Sequence, residues 1–285
     1  MVLLLQCFAL LRVRQWLKNL MLYFPPFLGG TLHALVPNLQ ILLPFISFCL
    51  VSSATYILND VLDRDNDLHH PDKRTRPIAS GRISVAAALL FAALLLIGSL
   101  LIAGNISRTF LGLLTAYGLV SLAYSTVLKE MALVDLFCIS AGFMLRLQAG
   151  GAAFNVAISG WLFLSVFLLS LFLSAGKRLS EKQRLGHSAV EHRKVLLAYP
   201  RGFLEAIMYM TGCAVLITYS MYALSRDSQL LYYTVPLCCF GLFRYMFRIR
   251  SGKSGDPTEA LVMDLPLLVV GLLWVCMVGW GIYGG

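Results

Sequence analysis

A nine-helix, all-α integral membrane bundle is the fold class this sequence predicts, and three observations predict it. Mean hydropathy is +0.78 and only 13% of the 285 residues are charged, about half the share of a soluble domain. Runs of roughly 20 apolar residues recur, each long enough to cross about 30 Å of hydrocarbon as a helix, and none shows the alternation of a barrel strand. Lysine and arginine collect on alternate loops, the asymmetry that marks the cytoplasmic side. With no linker and no internal repeat, residues 1–285 read as a single transmembrane domain.

The spans expected, in order, are 15–33, 38–60, 83–104, 108–128, 132–153, 159–178, 203–225, 229–249 and 261–283. Residues 1–11 are apolar before any positive charge, the reverse of a cleavable signal peptide, so no removed targeting segment is expected. The N-terminal segment and the loops after the second, fourth, sixth and eighth spans hold nearly all the lysine and arginine, whereas the opposite loops show only Arg108 and Arg226. The N-terminus and those even-numbered loops are therefore expected in the cytoplasm, in a multi-pass protein of the plasma (inner) membrane. Pro25-Pro26, Pro236 and Pro266 within spans suggest kinks. The seven cysteines lack C-x-x-C spacing and read as small buried hydrophobes. The net charge of +9 has this topological explanation, so no nucleic-acid partner is implied.

Chemistry concentrates between Asn59 and Gly81, where Asp60, Asp63, Asp65, Asp67 and Asp72 supply five of the nine aspartates. At about 100° per residue, Asp60, Asp63 and Asp67 share one face of a helix, with Asn59 beside Asp63 and with Asp65 pointing elsewhere. Carboxylates stacked this way repel unless a cation sits among them, and an all-oxygen set suits Mg²⁺ shared with a substrate phosphate. A solvated acidic helix end, paired by Arg64, Lys73, Arg74 and Arg76, is the plainer alternative. Lys73, Arg74 and Arg76 next to such a site are what a diphosphate requires, although positive-side anchoring accounts for cations alone.

Tyr124 and Lys129 close the fourth span, and Arg146 lies about 14 residues into the fifth, where a charge demands a partner or a polar cavity. Its alternative is a structural pair with Asp135 or with backbone carbonyls. Lys177, Arg178 and Glu181 share a helical face at the end of the sixth span. His187 and His192 read as parts of a solvated cap and not as metal ligands. Asp256-Pro257 reads as turn and helix-start chemistry.

Asn59-Asp60-x-x-Asp63-x-x-x-Asp67 resembles the first Asp-rich motif of the UbiA superfamily of intramembrane transferases. That resemblance implies a nine-transmembrane-helix UbiA-type bundle with a cytoplasmic-side polar cavity and Mg²⁺ as cofactor. Where such proteins carry a second D-x-x-x-D motif, this chain has Gly176-Lys177-Arg178-x-x-Glu181. Further segments are similar to the phosphoribosyl-transferring branch: Arg14-Gln15-Trp16-x-Lys18-Asn19, His70-Pro71-x-Lys73-Arg74-x-Arg76-Pro77, Tyr124-Ser125-x-x-Leu128-Lys129, Gly142-Phe143-x-Leu145-Arg146 and Ala175-Gly176-Lys177-Arg178. For that branch the implied partners are phosphoribosyl diphosphate and a polyprenyl phosphate, with homo-oligomerisation left open. The resemblance gives Asp60, Asp63 and Asp67 the metal and, with Lys129 and Arg146, the catalytic role. Substrate binding goes to Arg14, Lys18, Asn59, Lys73, Arg74, Arg76, Tyr124, Lys177 and Arg178. A prenyltransferase acting on another acceptor, and a transporter or lipid-binding protein, are the competing functions.

Overall fold

The computed structural model describes residues 2–35, 38–69, 73–185, 195–226 and 228–284. His70, Pro71 and Asp72, and the loop residues His187, Glu191, His192, Arg193 and Lys194, lie outside them. The described residues form α1 (Val2–Leu11), a 3-10 helix (Val13–Tyr23), α2 (Phe24–Leu28), α3 (Leu42–Leu62) and α4 (Arg64–His69). There follow α5 (Val85–Gly104), α6 (Arg108–Thr126), α7 (Val134–Phe154) and α8 (Gly160–Leu185). The chain ends with α9 (Phe203–Leu224), α10 (Val235–Arg250), α11 (Pro257–Met263) and α12 (Leu265–Tyr283).

Eight helices among the described residues are long and apolar enough to cross a membrane, one fewer than expected. The first expected span, 15–33, is instead the 3-10 helix followed by the short α2. Its contacts run antiparallel to α3 from one end to the other: Arg12 to Asp60, Trp16 to Ser53, Asn19 to Cys49, and Tyr23 to the Ile41 carbonyl. A 3-10 helix has three residues per turn, and burial follows that period. Trp16, Asn19 and Leu22 face inward, Gln15, Lys18 and Met21 are half-buried, and Arg14, Leu17 and Leu20 are exposed.

Pro236 and Pro266 do not kink their helices. Each stands in the first turn, where its missing N–H has no intrahelical partner to lose. Pro25-Pro26 likewise opens α2, and the carbonyls of Pro26 and Phe27 accept from the Tyr283 hydroxyl at 3.1 and 2.8 Å. Serine and aspartate caps start the later helices: the Ser107 hydroxyl accepts from Phe110 N at 3.0 Å, and Asp264 caps α12.

Inside the bundle, α7 touches the 3-10 helix, α6 and α8, while α3 packs on α5 and α6, and α8 on α9. Ser47 and Ser99 exchange hydroxyl-to-carbonyl bonds at 3.0 and 2.9 Å between α3 and α5, polar contacts of the kind that join helices in lipid. Gly150 lets α7 meet the 3-10 helix: a Cβ there would stand 2.1 Å from the Leu22 carbonyl oxygen. Gly150→Ala is expected to cost about 3 kcal/mol or more, since overpacking has nowhere to relax. Gly160→Ala, where a Cβ meets nothing within 4 Å, is the control. Thermal unfolding in detergent reads the contrast.

Candidate active site

The C-terminal ends of α3, α6 and α8 and the N-terminal half of α7 enclose a cavity of about 550 Å³. These ends carry the even-numbered loops. Arg12, Lys18, Lys73, Arg76, Lys129, Arg146, Lys177 and Arg178 all line it.

At the mouth the acidic stretch is neutralised from within. Asp60 accepts from Arg12 and, at 2.8 Å, from Arg76; the same Arg76 nitrogen donates to Asp67 at 2.6 Å, and Lys73 lies 3.8 Å from Asp67. Asp60 and Asp67 are only 3% exposed, so a solvated acidic end is not what forms, although two of the cations named for it take part. Asp63 turns away, accepting from Lys129 at 2.5 Å and from the Asn59 amide at 3.0 Å. The continuous three-carboxylate face also fails in detail, because α3 ends at Leu62 and the chain restarts as α4 at Arg64. No group of three potential ligands close enough to hold a metal occurs among the described residues. The donor set nevertheless fits a hard cation in kind: two buried carboxylates converge on one point, where the Arg76 nitrogen stands.

Deeper in the cavity, the Arg146 guanidinium donates to the Asn19 side chain at 2.8 Å, to the Gly142 carbonyl at 2.9 Å and to the Tyr117 hydroxyl at 2.8 Å. All three acceptors are neutral. Asp135 is not its partner, since the two stand 11 positions, about 16 Å of helix, apart. Lys18 makes no hydrogen bond or ion pair within the described residues, although Lys177, Asp256 and Arg146 lie within its electrostatic reach.

A buried network forms the wall between α7 and α8. Arg178, 1% exposed, donates to Asp135 at 2.6 Å, to Glu181 at 2.9 Å and to the Tyr124 hydroxyl at 2.8 Å. Tyr199 also donates to Asp135 and accepts from Leu133 N at 2.8 Å. Lys177 reaches Asp256 at 2.9 Å, and Asp256 caps α11 by accepting from Thr258 N and Glu259 N, as its sequence context implied. Burial works against the charge of Asp256, but Lys177 and then Lys18 outweigh it and hold the carboxyl down to about 2. A depressed carboxyl loses its stabilising charge only as pH falls through the folded value, so the Lys177 pair persists to about pH 2.

Of the residues singled out from sequence, Arg14 and Arg74 are exposed and do not line the cavity. Arg14 sits on the outward face of the 3-10 helix, and Arg74 on the loop surface. Sequence reasoning missed Arg12, Asn19, Tyr117 and Tyr199 as parts of the site; a period of three in residues 14–22 is the signal that would have turned Asn19 inward.

Fold and site together define an integral membrane protein built around a charged intramembrane cavity. The sequence profile of the UbiA prenyltransferase family matches residues 23–270, and the chain belongs to that family. It is 32% identical to the decaprenyl-phosphate phosphoribosyltransferase of Mycolicibacterium smegmatis, over 95% of this chain and 91% of that one. The Corynebacterium glutamicum protein of the same name is 31% identical, over 96% of this chain and 85% of its own length. Among solved structures, a UbiA homologue from Archaeoglobus fulgidus bound to GPP and Mg²⁺ superposes with a TM-score of 0.75 at 21% identity, covering 98% of this chain and 100% of that one. That likeness concerns the fold.

Proposed function

We propose that this protein transfers a 5-phosphoribosyl group from phosphoribosyl diphosphate to a polyprenyl phosphate, releasing diphosphate. The observation that carries the reading is the deep end of the cavity, where Lys18 and Arg146 stand without an ion-paired carboxylate. A buried cation left unpaired is costly, and a substrate bearing several phosphate groups supplies the missing charge. The curated relatives, named for that transfer and aligned over nearly the whole chain, support the same conclusion.

In the reaction, a phosphate oxygen of the lipid forms a bond to ribose C1 while the C1–O bond to diphosphate breaks and its electron pair leaves with the diphosphate. A phosphate monoester is already anionic at pH 7, so no general base is needed, and catalysis is positioning plus charge stabilisation. Asp60 and Asp67 would hold Mg²⁺, which when bound neutralises the leaving diphosphate, while Asp63 holds Lys129. Lys73, Arg76 and Lys129, now paired with those aspartates, are placed to exchange carboxylate for phosphate oxygens. Tyr117 and Asn19 fix the Arg146 guanidinium, and the wall network holds Tyr124 at the cavity surface.

Purified protein incubated with Mg²⁺, phosphoribosyl diphosphate and polyprenyl phosphate is expected to form a charged glycolipid. Transfer of a prenyl group from a prenyl diphosphate, with phosphoribosyl diphosphate ignored, would hand the site to the competing reading. We further place the protein in the plasma membrane with the cavity facing the cytoplasm. On a cysteine-free background, Arg82→Cys is then expected to react with an impermeant thiol reagent only from the cytoplasmic side, and Ala157→Cys only from outside. Labelling of both from one face would overturn that topology.

A further inference from the structure

The cavity contains one polar group that nothing in the fold uses. Ser174 of α8 is 3% exposed and lines the cavity, and its hydroxyl is the only buried side-chain nitrogen or oxygen among the described residues that lacks a hydrogen-bond partner. The other serines of α7 and α8 are all bonded: Ser140 to the Leu136 carbonyl at 3.1 Å, Ser165 to Trp161 at 2.7 Å and Ser170 to Phe167 at 2.7 Å within their own helix, and Ser180 to the Lys253 carbonyl at 3.0 Å. Buried hydroxyls are satisfied as a rule, so the exception points to a partner from outside the chain. One turn further along the same helix face stands Lys177, also on the cavity wall. Lys18, without a bond of its own, faces the same space from the 3-10 helix.

We infer that Ser174, Lys18 and Lys177 form a seat for a phosphate monoester, separate from the acid-lined mouth of the cavity. The Ser174 hydroxyl donates to one phosphate oxygen, and the two ammonium groups, which offer only donors, meet the charge. Asp256 holds Lys177 in the absence of ligand, so the lysine is delivered to the seat already extended and not recruited from solvent. This seat rests on the proposed function for its source of phosphate, which is either the 5-phosphate of the donor or the phosphate of the lipid.

Two measurements on wild type, Ser174→Ala and Ser174→Thr test it: binding of inorganic phosphate to the detergent-purified protein, and KM for each substrate. Ser174→Ala is expected to weaken phosphate binding about tenfold and Ser174→Thr to retain it, because threonine keeps the hydroxyl. A matching rise in KM for phosphoribosyl diphosphate alone assigns the seat to the 5-phosphate, and a rise for polyprenyl phosphate alone assigns it to the lipid. Wild-type phosphate binding and wild-type KM values in Ser174→Ala would overturn the seat and leave the transfer reaction standing. A Ser174→Thr protein as weak as Ser174→Ala would do the same, by assigning the loss to packing. Phosphate binding that depends on Ser174, in a protein that never uses phosphoribosyl diphosphate, would keep the seat and sink the reaction.

Discussion

Asp67→Ala is expected to lower turnover about a thousandfold, roughly 4 kcal/mol of transition-state stabilisation, while Asp65→Ala stays within about twofold of wild type. Asp67 is buried at the cavity mouth, where it shares the Arg76 nitrogen with Asp60 and draws in Lys73. Its loss removes a hard oxygen donor and frees two cations that would then bind the diphosphate too early and release it too slowly. Asp65, two residues away, is exposed on α4 and does not line the cavity. Asp60→Ala should follow Asp67→Ala. Asp63→Ala acts in the same direction, but by releasing Lys129. Steady-state assays at saturating Mg²⁺ measure the series, and an Asp65→Ala protein as impaired as Asp67→Ala would refute the argument.

The second large effect is on stability. Arg178→Ala is expected to destabilise the protein by about 3–5 kcal/mol, because it strands Asp135, which is 0% exposed, without its cation. The family resemblance made Arg178 a substrate-binding residue; the structure commits three of its five donors to Asp135, Glu181 and Tyr124. Replacing both partners by apolar residues, as in Arg178→Met with Asp135→Leu, should restore much of the melting temperature, since a buried pair is often no more stable than its hydrophobic substitute. Activity should not return, because Tyr124 and Glu181 lose their support. A melting temperature for Arg178→Ala equal to wild type would count against the network.

What could be read from sequence follows the range of the interactions. The apolar spans were legible because each depends only on its own 20 or so residues. The depth of Arg146 was legible for the same reason, and it correctly drew attention to a polar cavity. Its partners were not, since Asn19 comes from 127 residues away. Lys177 and Asp256 meet across 79 residues, and no spacing rule joins them. Asp60, Asp63 and Asp67 were placed on one helix by period, yet the chain breaks at Asp63; Asp60 and Asp67 are gathered by Arg76, not by helical register. Period also explains the one missing α-helical span, because an apolar run was read at 3.6 residues per turn where burial repeats every three.

The 3-10 helix at Val13–Tyr23 sets a rule for how this part of the gene can change in length. Each inserted residue turns the following chain by about 120°. One extra residue between Arg12 and Lys18 would carry Asn19 off Arg146 into the exposed row, turn Lys18 into the fully inward row in its place and press Leu20 toward the bundle. Three extra residues would restore every face, at the cost of about 6 Å of added length. Insertions and deletions here are therefore constrained to multiples of three amino acids, nine nucleotides at a time, whereas the loop at Gly81 and Arg82 carries no such phase.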